Sequence, residues 1–222
     1  MERKPKRRTR ERILETSLRL FNDFGEPNVT TTVIADEMNI SPGNLYYHFH
    51  SKDEIVNALF ADFERDFDKL FGAVGRRSAS VEDIWLFLHL LFENIWRYRF
   101  LYRDLSDLLT RNRLLEVHIG RILEQKVRAA KLVCAGLVES DEMRANPGEI
   151  DALATNMAAL ATCWLSFEYA RHPRGGLEAA GLDRGVFQVM AMLSPFLMGD
   201  SKRLLDRLSN EYIKQEPAKE KA

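Results

Sequence analysis

At 222 residues, with 45% hydrophobic and 29% charged residues and a net charge of −1, the chain has room for one larger domain or for a small head on a larger body, in an ordinary globular composition. No run approaches the roughly 18 consecutive apolar residues of a membrane span, and the basic N-terminus lacks the apolar segment of a secretory signal, so a cytoplasmic protein with no membrane partner is expected. The two cysteines, Cys134 and Cys163, lie in helical patterns among apolar neighbours, where a reducing compartment favours free, buried thiols over a disulfide.

Residues 1–12 hold Arg3, Lys4, Lys6, Arg7, Arg8, Arg10 and Arg12 against Glu2 and Glu11, a local +5 that leaves −6 for the rest of the chain. Such an arm suits phosphates or a minor groove, because each neutralised phosphate releases counterions; the alternative is a solvated tail. Over residues 10–24, Ile13, Leu14, Leu18, Leu20, Phe21 and Phe24 recur at helical spacing, and Gly25 stops the helix. A second helix begins at Thr30 or Thr31, and its apolar side of Ile34, Ala35 and Met38 continues across a tight turn to Ile40 and Leu45. Ser41 caps a third helix with Pro42 at its first position, where the missing N–H costs nothing. The rest of that helix, Gly43, Asn44, Tyr46, Tyr47 and His48, is small, polar or aromatic with a polar tip, as base edges and phosphates require.

Ser51 and Glu54 form a capping box for a fourth helix, whose stripe of Val56, Leu59, Phe60, Phe63, Phe67, Leu70 and Phe71 lasts about five turns. That length marks it as the connector between head and body. A loop is expected over 72–80, then helices over 81–98 with Ser80 as cap, 100–110, 112–140 with Gly120 as a kink or break, and 147–171 with Asn146 as cap. After a loop at 172–176, helices are expected over 184–198 and 201–212, with a frayed tail from 214. No segment alternates as a strand between hairpin turns, so the fold class is all-α.

The run SPGNLYYHFHSKDEIVNALF, preceded by TTTVIADEMNI and by a helix ending in LFNDFG, resembles the DNA-binding head of the TetR family of bacterial transcriptional repressors over about residues 9–60. The turn position usually held by glycine is Asn39 here, and Asn is the residue that best tolerates left-handed φ in glycine's place. The resemblance implies a three-helix helix-turn-helix DNA-binding head over 1–52 and a helical ligand-binding and dimerisation body over 53–222. It also implies a four-helix dimer interface. The helices at 147–171 and 184–198 fit that role, the first through Ala154, Ala158 and Ala161 beside Met157, Leu160, Trp164 and Leu165, the second through Val186, Phe187, Val189, Met190, Leu193 and Phe196. Packing inside one protomer is the alternative.

The candidate DNA contacts are Thr31, Thr32, Pro42, Gly43, Asn44, Tyr46, Tyr47, His48 and Lys52. Asn44 can read a base edge, the tyrosines and His48 can donate to phosphates, and Lys52 is a cation at a positive helix end that needs an anionic partner. The two threonines read equally as simple caps, and at least one of Tyr46 and Tyr47 is expected to pack inward. In the body, Trp85, His89, Phe92, Trp96, Tyr102, His118, Cys163, Trp164 and Phe167 are the candidates for an unnamed small-molecule ligand, against the alternative of plain core. No phosphate loop, nucleophile elbow or zinc-like Cys/His spacing is present, so no enzyme, cofactor or metal is expected. The sequence thus reads as a homodimeric repressor whose recognition helices enter successive major grooves of double-stranded DNA at a near-palindromic operator, released by a small molecule. The rival is a DNA-bound adaptor whose body docks a protein partner.

Overall fold

The computed structural model describes residues 5–72, 80–172 and 180–215; the first four residues of the basic arm, the expected loops within 73–79 and 173–176, and the end of the tail lie outside them. The described residues form eleven α-helices and no strand beyond an isolated bridge between Met143 and Leu197. The chain divides into two compact units, Met1–Phe67 with Arg97–Ile119, and Asp68–Trp96 with Gly120–Ala222.

In the first unit, α1 (Pro5–Phe24) starts earlier than expected and takes in most of the basic arm. It ends at Gly25, whose φ of 90° is open to glycine at no steric cost. A single 3-10 turn, Glu26–Asn28, leads to α2 (Thr31–Glu37) and α3 (Pro42–His48). Between them Asn39 adopts φ 54°, the left-handed turn its residue type suggests. Thr30 accepts from the Val33 N–H and Ser41 from the Asn44 N–H, each at 3.2 Å, so both helices start where their caps say. The α4 helix (Lys52–Phe71) opens with Ser51 accepting from the Glu54 N–H at 3.1 Å. The reciprocal arm of the box lands one residue early, Glu54 accepting from the His50 N–H at 2.8 Å.

The first unit's packing runs past residue 52, because Ile55, Val56, Leu59, Phe60, Phe63 and Phe67 of α4 are all buried. The segment expected as one helix over 100–110 is two, α6 (Arg99–Arg103) and α7 (Leu105–Arg111), which follow α5 (Val81–Arg97). They part at Asp104, whose carboxylate accepts from the Glu26 N–H at 3.1 Å and from Arg103 Nε at 3.2 Å. Asn22 joins α1 to this region by donating to the Arg97 carbonyl at 2.9 Å and accepting from the Phe100 N–H at 3.1 Å. Glu26 itself is fully buried, with Lys52 Nζ 3.1 Å from its carboxylate and Arg111 bonded to the other oxygen.

The α8 helix (Arg113–Glu139), which belongs to the second unit from Gly120 onward, is not broken at Gly120, where an added Cβ would meet nothing within 4 Å. The α9 helix (Pro147–Arg171) has a complete capping box, Asn146 accepting from the Glu149 N–H at 3.0 Å and Glu149 from the Asn146 N–H at 2.7 Å. The α10 helix (Ala180–Leu193) starts and ends earlier than expected, and residues 194–198 form a turn held by Met198 N–H to the Glu142 carbonyl at 2.8 Å. The α11 helix (Gly199–Gln215) closes the described chain.

Ala154, Met157, Ala158, Ala161, Trp164 and Leu165 of α9, with Val186, Val189, Met190 and Leu193 of α10, are buried within this unit. The residues expected to make a self-complementary face are therefore largely core. The opposite face of α9 is the open one: Ala152, Thr155, Asn156, Ala159, Cys163 and Ser166 are exposed and uncharged along its middle, and the exposed charges, Glu149, Asp151 and Arg171, stand towards its ends. Composition and length would also let α9 cross a membrane, with a mean hydropathy of 1.2 over its most apolar 18 residues, but its buried side accounts for much of that character. Cys134 is buried, which pushes its thiol up to about 11, whereas Cys163 is exposed, contrary to expectation.

Gly185 sets how closely α10 approaches its neighbours, since a Cβ there would lie 2.3 Å from Phe92 Cε1 and 2.7 Å from Trp164 Cδ1. Gly185→Ala is expected to lower the unfolding free energy by about 1–3 kcal/mol through overpacking, read as a fall in the urea midpoint at unchanged slope.

Candidate nucleic-acid interface and ligand cavity

Leu45, fully buried, and Phe49, 2% exposed, pin α3 from below, so the rest of its surface faces outward. Pro42, Gly43, Asn44, Tyr46 and Tyr47 are exposed and His48 is half-buried. Neither tyrosine packs inward, at 45% exposure for Tyr46 and 63% for Tyr47. The Tyr46 hydroxyl lies 3.1 Å from Thr31 Oγ1, which joins the start of α2 to the middle of α3, while Thr32 is exposed beside it. Tyr47 meets His48 edge-on, with ring centroids 5.3 Å apart. Eight of the nine expected DNA contacts thus lie on the first two turns of α2 or on α3. The face carries donors and acceptors with no carboxylate among them, so it can hydrogen-bond to bases and phosphates without repelling them.

Glycine at position 43 has no internal reason. A Cβ there would find only Ser41 Oγ at 4.0 Å, in a helix where glycine costs about 1 kcal/mol relative to alanine. Lys52, the ninth candidate, has an internal partner that its sequence neighbourhood hides. It donates to the Glu26 carbonyl at 3.0 Å as well as pairing with that residue's carboxylate, and its side chain is 25% exposed. Glu26 therefore supplies the anion that a cation at this helix end requires. A further cation beside the head is Arg10 of α1, which stacks over the Phe49 ring at 4.7 Å.

The second unit contains a small apolar cavity that opens to solvent, lined from α4, α5, α8, α9 and α10 by residues including Phe71, Leu88, Leu91, Met157, Ala161 and Val189. Lys126 of α8 also lines it, but the cavity's surface is almost wholly apolar, and the lysine's buried Nζ donates to Thr162 Oγ1 at 2.9 Å. Burial pushes its amine down to about 7.

None of the nine residues expected to hold a ligand lines this cavity. Phe92 and Trp164 are core, and Trp164 Nε1 donates to the Gly181 carbonyl at 2.7 Å. Trp85 stacks on His89 with centroids 4.3 Å apart, and His89 Nε2 lies 4.0 Å from Asp183. Trp96 is half-buried, Cys163 is exposed, and Phe167 is 52% exposed against Trp164. Tyr102 and His118 belong to the first unit. Tyr102 is buried against Phe63, which raises its phenol, and His118 Nδ1 lies 2.8 Å from Glu64. Bulky aromatics build walls and cores alike, so residue type alone does not place a side chain at this cavity. Lys126 interrupts the α8 stripe of Ile119, Ile122, Ala129 and Val133 at helical spacing, the sequence sign of its buried position.

Residues 62–205 match the family model described as a bacterial transcriptional repressor, TetR, and residues 13–59 match that of bacterial regulatory proteins of the tetR family. A TetR-family transcriptional regulator of Marinobacter aquaeolei VT8 superposes with a TM-score of 0.84 at 32% identity, over 92% of this chain and 98% of that one. A transcriptional regulator of Saccharomonospora viridis in complex with choline has a like fold, with a TM-score of 0.66 at 20% identity over 87% of this chain and all of its own. The HTH-type transcriptional repressor KstR2 of Mycolicibacterium smegmatis is 38% identical over 63 residues, which are 28% of this chain and 29% of that relative's length. With eleven helices among the described residues, an outward-facing helix-turn-helix and family models matching both parts, the chain belongs to the TetR family of bacterial transcriptional regulators, which bind DNA and are not enzymes.

Proposed function

We propose that this regulator is a cytoplasmic homodimeric repressor, released from a near-palindromic operator by a small molecule. The observation that carries the reading is the outer face of α3, where exposed, uncharged groups surround a glycine that the protein's own packing does not require. In this reading residues 1–52 do the DNA binding and residues 53–222 the ligand binding and dimerisation. Asn44 reads a base edge, while Tyr46, Tyr47, His48, Thr31 and Thr32 hold phosphates. Pro42 and Gly43 let the backbone come close to the groove. Two such heads on a twofold dimer contact half-sites one helical turn apart.

Self-association is supported by the uncharged middle of the outer face of α9, which places Ala159 and Cys163 where a surface helix would ordinarily carry charge. Ligand control is supported by the cavity, since an apolar space between helices suits a small apolar molecule better than a docked protein. The choline-bound structure shows that a protein of like fold takes a small molecule. A ligand acts by binding the low-affinity state better than the operator-bound one, and shifts the balance by no more than that difference.

Gly43→Ala should raise the unfolding free energy by up to about 1 kcal/mol and weaken operator binding by about tenfold, or about 1.4 kcal/mol; paired urea unfolding and fluorescence-anisotropy titrations check both arms. Ala159→Arg keeps an exposed position exposed and should give monomers in sedimentation-velocity runs, with loss of tight operator binding. Lys52→Met should cost about 1–2 kcal/mol of stability by stranding Glu26 and leave the salt dependence of operator binding as it was. A slope reduced by about one with stability unchanged would return Lys52 to the phosphate contacts.

A further inference from the structure

Arg10 of α1 is exposed, and its guanidinium lies over the ring of Phe49, 4.7 Å from the centroid. Phe49 ends α3 by donating its N–H to the Leu45 carbonyl, and it is itself buried. The arginine is therefore held against the last turn of the helix whose outer face carries Asn44, Tyr46 and Tyr47. A cation over a ring is fixed by position and not by its donors, so the N–H groups of Arg10 stay uncommitted. No carboxylate among the described residues pairs with it, in contrast to Arg19, which pairs with Glu37, and Lys52, which pairs with Glu26. Arg8 and Arg12 are exposed as well, but each lies about 200° around the helix from Arg10 and so faces away from Phe49.

The shape of α1 decides which part of DNA such a cation meets. The chain is helical from Pro5 onward, and an α-helix about 10–12 Å across does not enter a minor groove about 6 Å wide. The described part of the basic segment is thus shaped for the sugar-phosphate backbone. When the N-terminal residues of a recognition helix reach base edges, its C-terminal end stands at the rim of the groove, where the phosphates are. We propose that Arg10 is a DNA-backbone contact, a guanidinium aimed by Phe49 at one phosphate beside the C-terminal end of α3, whatever the base sequence there. The planar fork of the side chain suits a phosphate's oxygens. The assignment rests on the reading of α3 as the recognition helix, and it adds a fixed cation to a face made otherwise of uncharged groups and His48.

The test uses the full-length protein and a fluorescein-labelled duplex that it selects from a randomised pool, titrated by anisotropy between about 50 and 200 mM salt. Arg10→Gln should lower the slope of log affinity against log salt by about one for each bound protomer, and weaken binding about tenfold at about 100 mM salt. Arg10→Lys, which keeps the charge, should restore most of the slope, and Arg12→Gln should leave it as in the wild type. An unchanged slope in Arg10→Gln, whatever the affinity, reduces Arg10 to a packing contact and overturns the proposal. An equal fall in Arg12→Gln overturns it too, because a diffuse field then accounts for both. Gly43→Ala on the same duplex tests the recognition reading separately. If Gly43→Ala weakens binding and Arg10→Gln leaves the slope as it was, the reading of α3 stands and the Arg10 contact falls. If Gly43→Ala binds like the wild type and Arg10→Gln lowers the slope, the reading of α3 falls and the phosphate contact stands without it.

Discussion

A carboxylate with no solvent exposure is tolerable only if cations and donors surround it, and Glu26 imposes that condition on the first unit. It follows the glycine that stops α1, and its compensation comes from far along the chain: Lys52 at the start of α4 and Arg111 at the end of α7, with Asp104 taking its backbone N–H. These pairs are weak evidence of stability, because desolvating the charges offsets most of their attraction. Their effect is positional. Fixing the first residue of α4 fixes where α3 must end, four residues earlier at His48, and with it the direction in which the outward face of α3 points. Asn22 and Arg103 add to the same fastening, since Arg103 donates to the Phe21 carbonyl at 2.8 Å and Asn22 reaches α6.

Much of the first unit was legible residue by residue. Ser41 with Pro42, Asn39 in the left-handed turn and the stripe along α4 are local signals that tertiary packing did not override. What could not be read locally depended on distance in sequence. Glu26 lies 85 residues from Arg111, so nothing near Lys52 announced that its partner was internal. The parting of α6 from α7 likewise depends on Asp104 answering a backbone N–H 78 residues away. In the second unit, small residues recur on both sides of α9, so composition alone could not say which side faced inward. The structure puts Ala154, Ala158 and Ala161 inside and Ala152 and Ala159 outside.

That two-sidedness lets one helix serve both ends of the proposed mechanism. Met157, Ala158 and Ala161 form part of the cavity wall, while Ala159 and Cys163 stand on the outer face within the same turns. Short side chains on each side keep whatever packs there close to the helix axis, with few rotatable atoms between. Trp164 adds rigidity by anchoring to the Gly181 carbonyl at 2.7 Å, and Gly185 lets α10 lie against Phe92.

The misplaced arm of the α4 capping box also matters for motion. Because Glu54 accepts from the His50 N–H while Ser51 accepts from the Glu54 N–H, the short link between α3 and α4 has no slack of its own. Fraying of the first turn of α4 would free the amide just beyond α3, and a loosening of α3 would pull on that turn in return. The pair therefore opens as one cooperative segment, and its protection against solvent exchange is set by the weaker of the two helices.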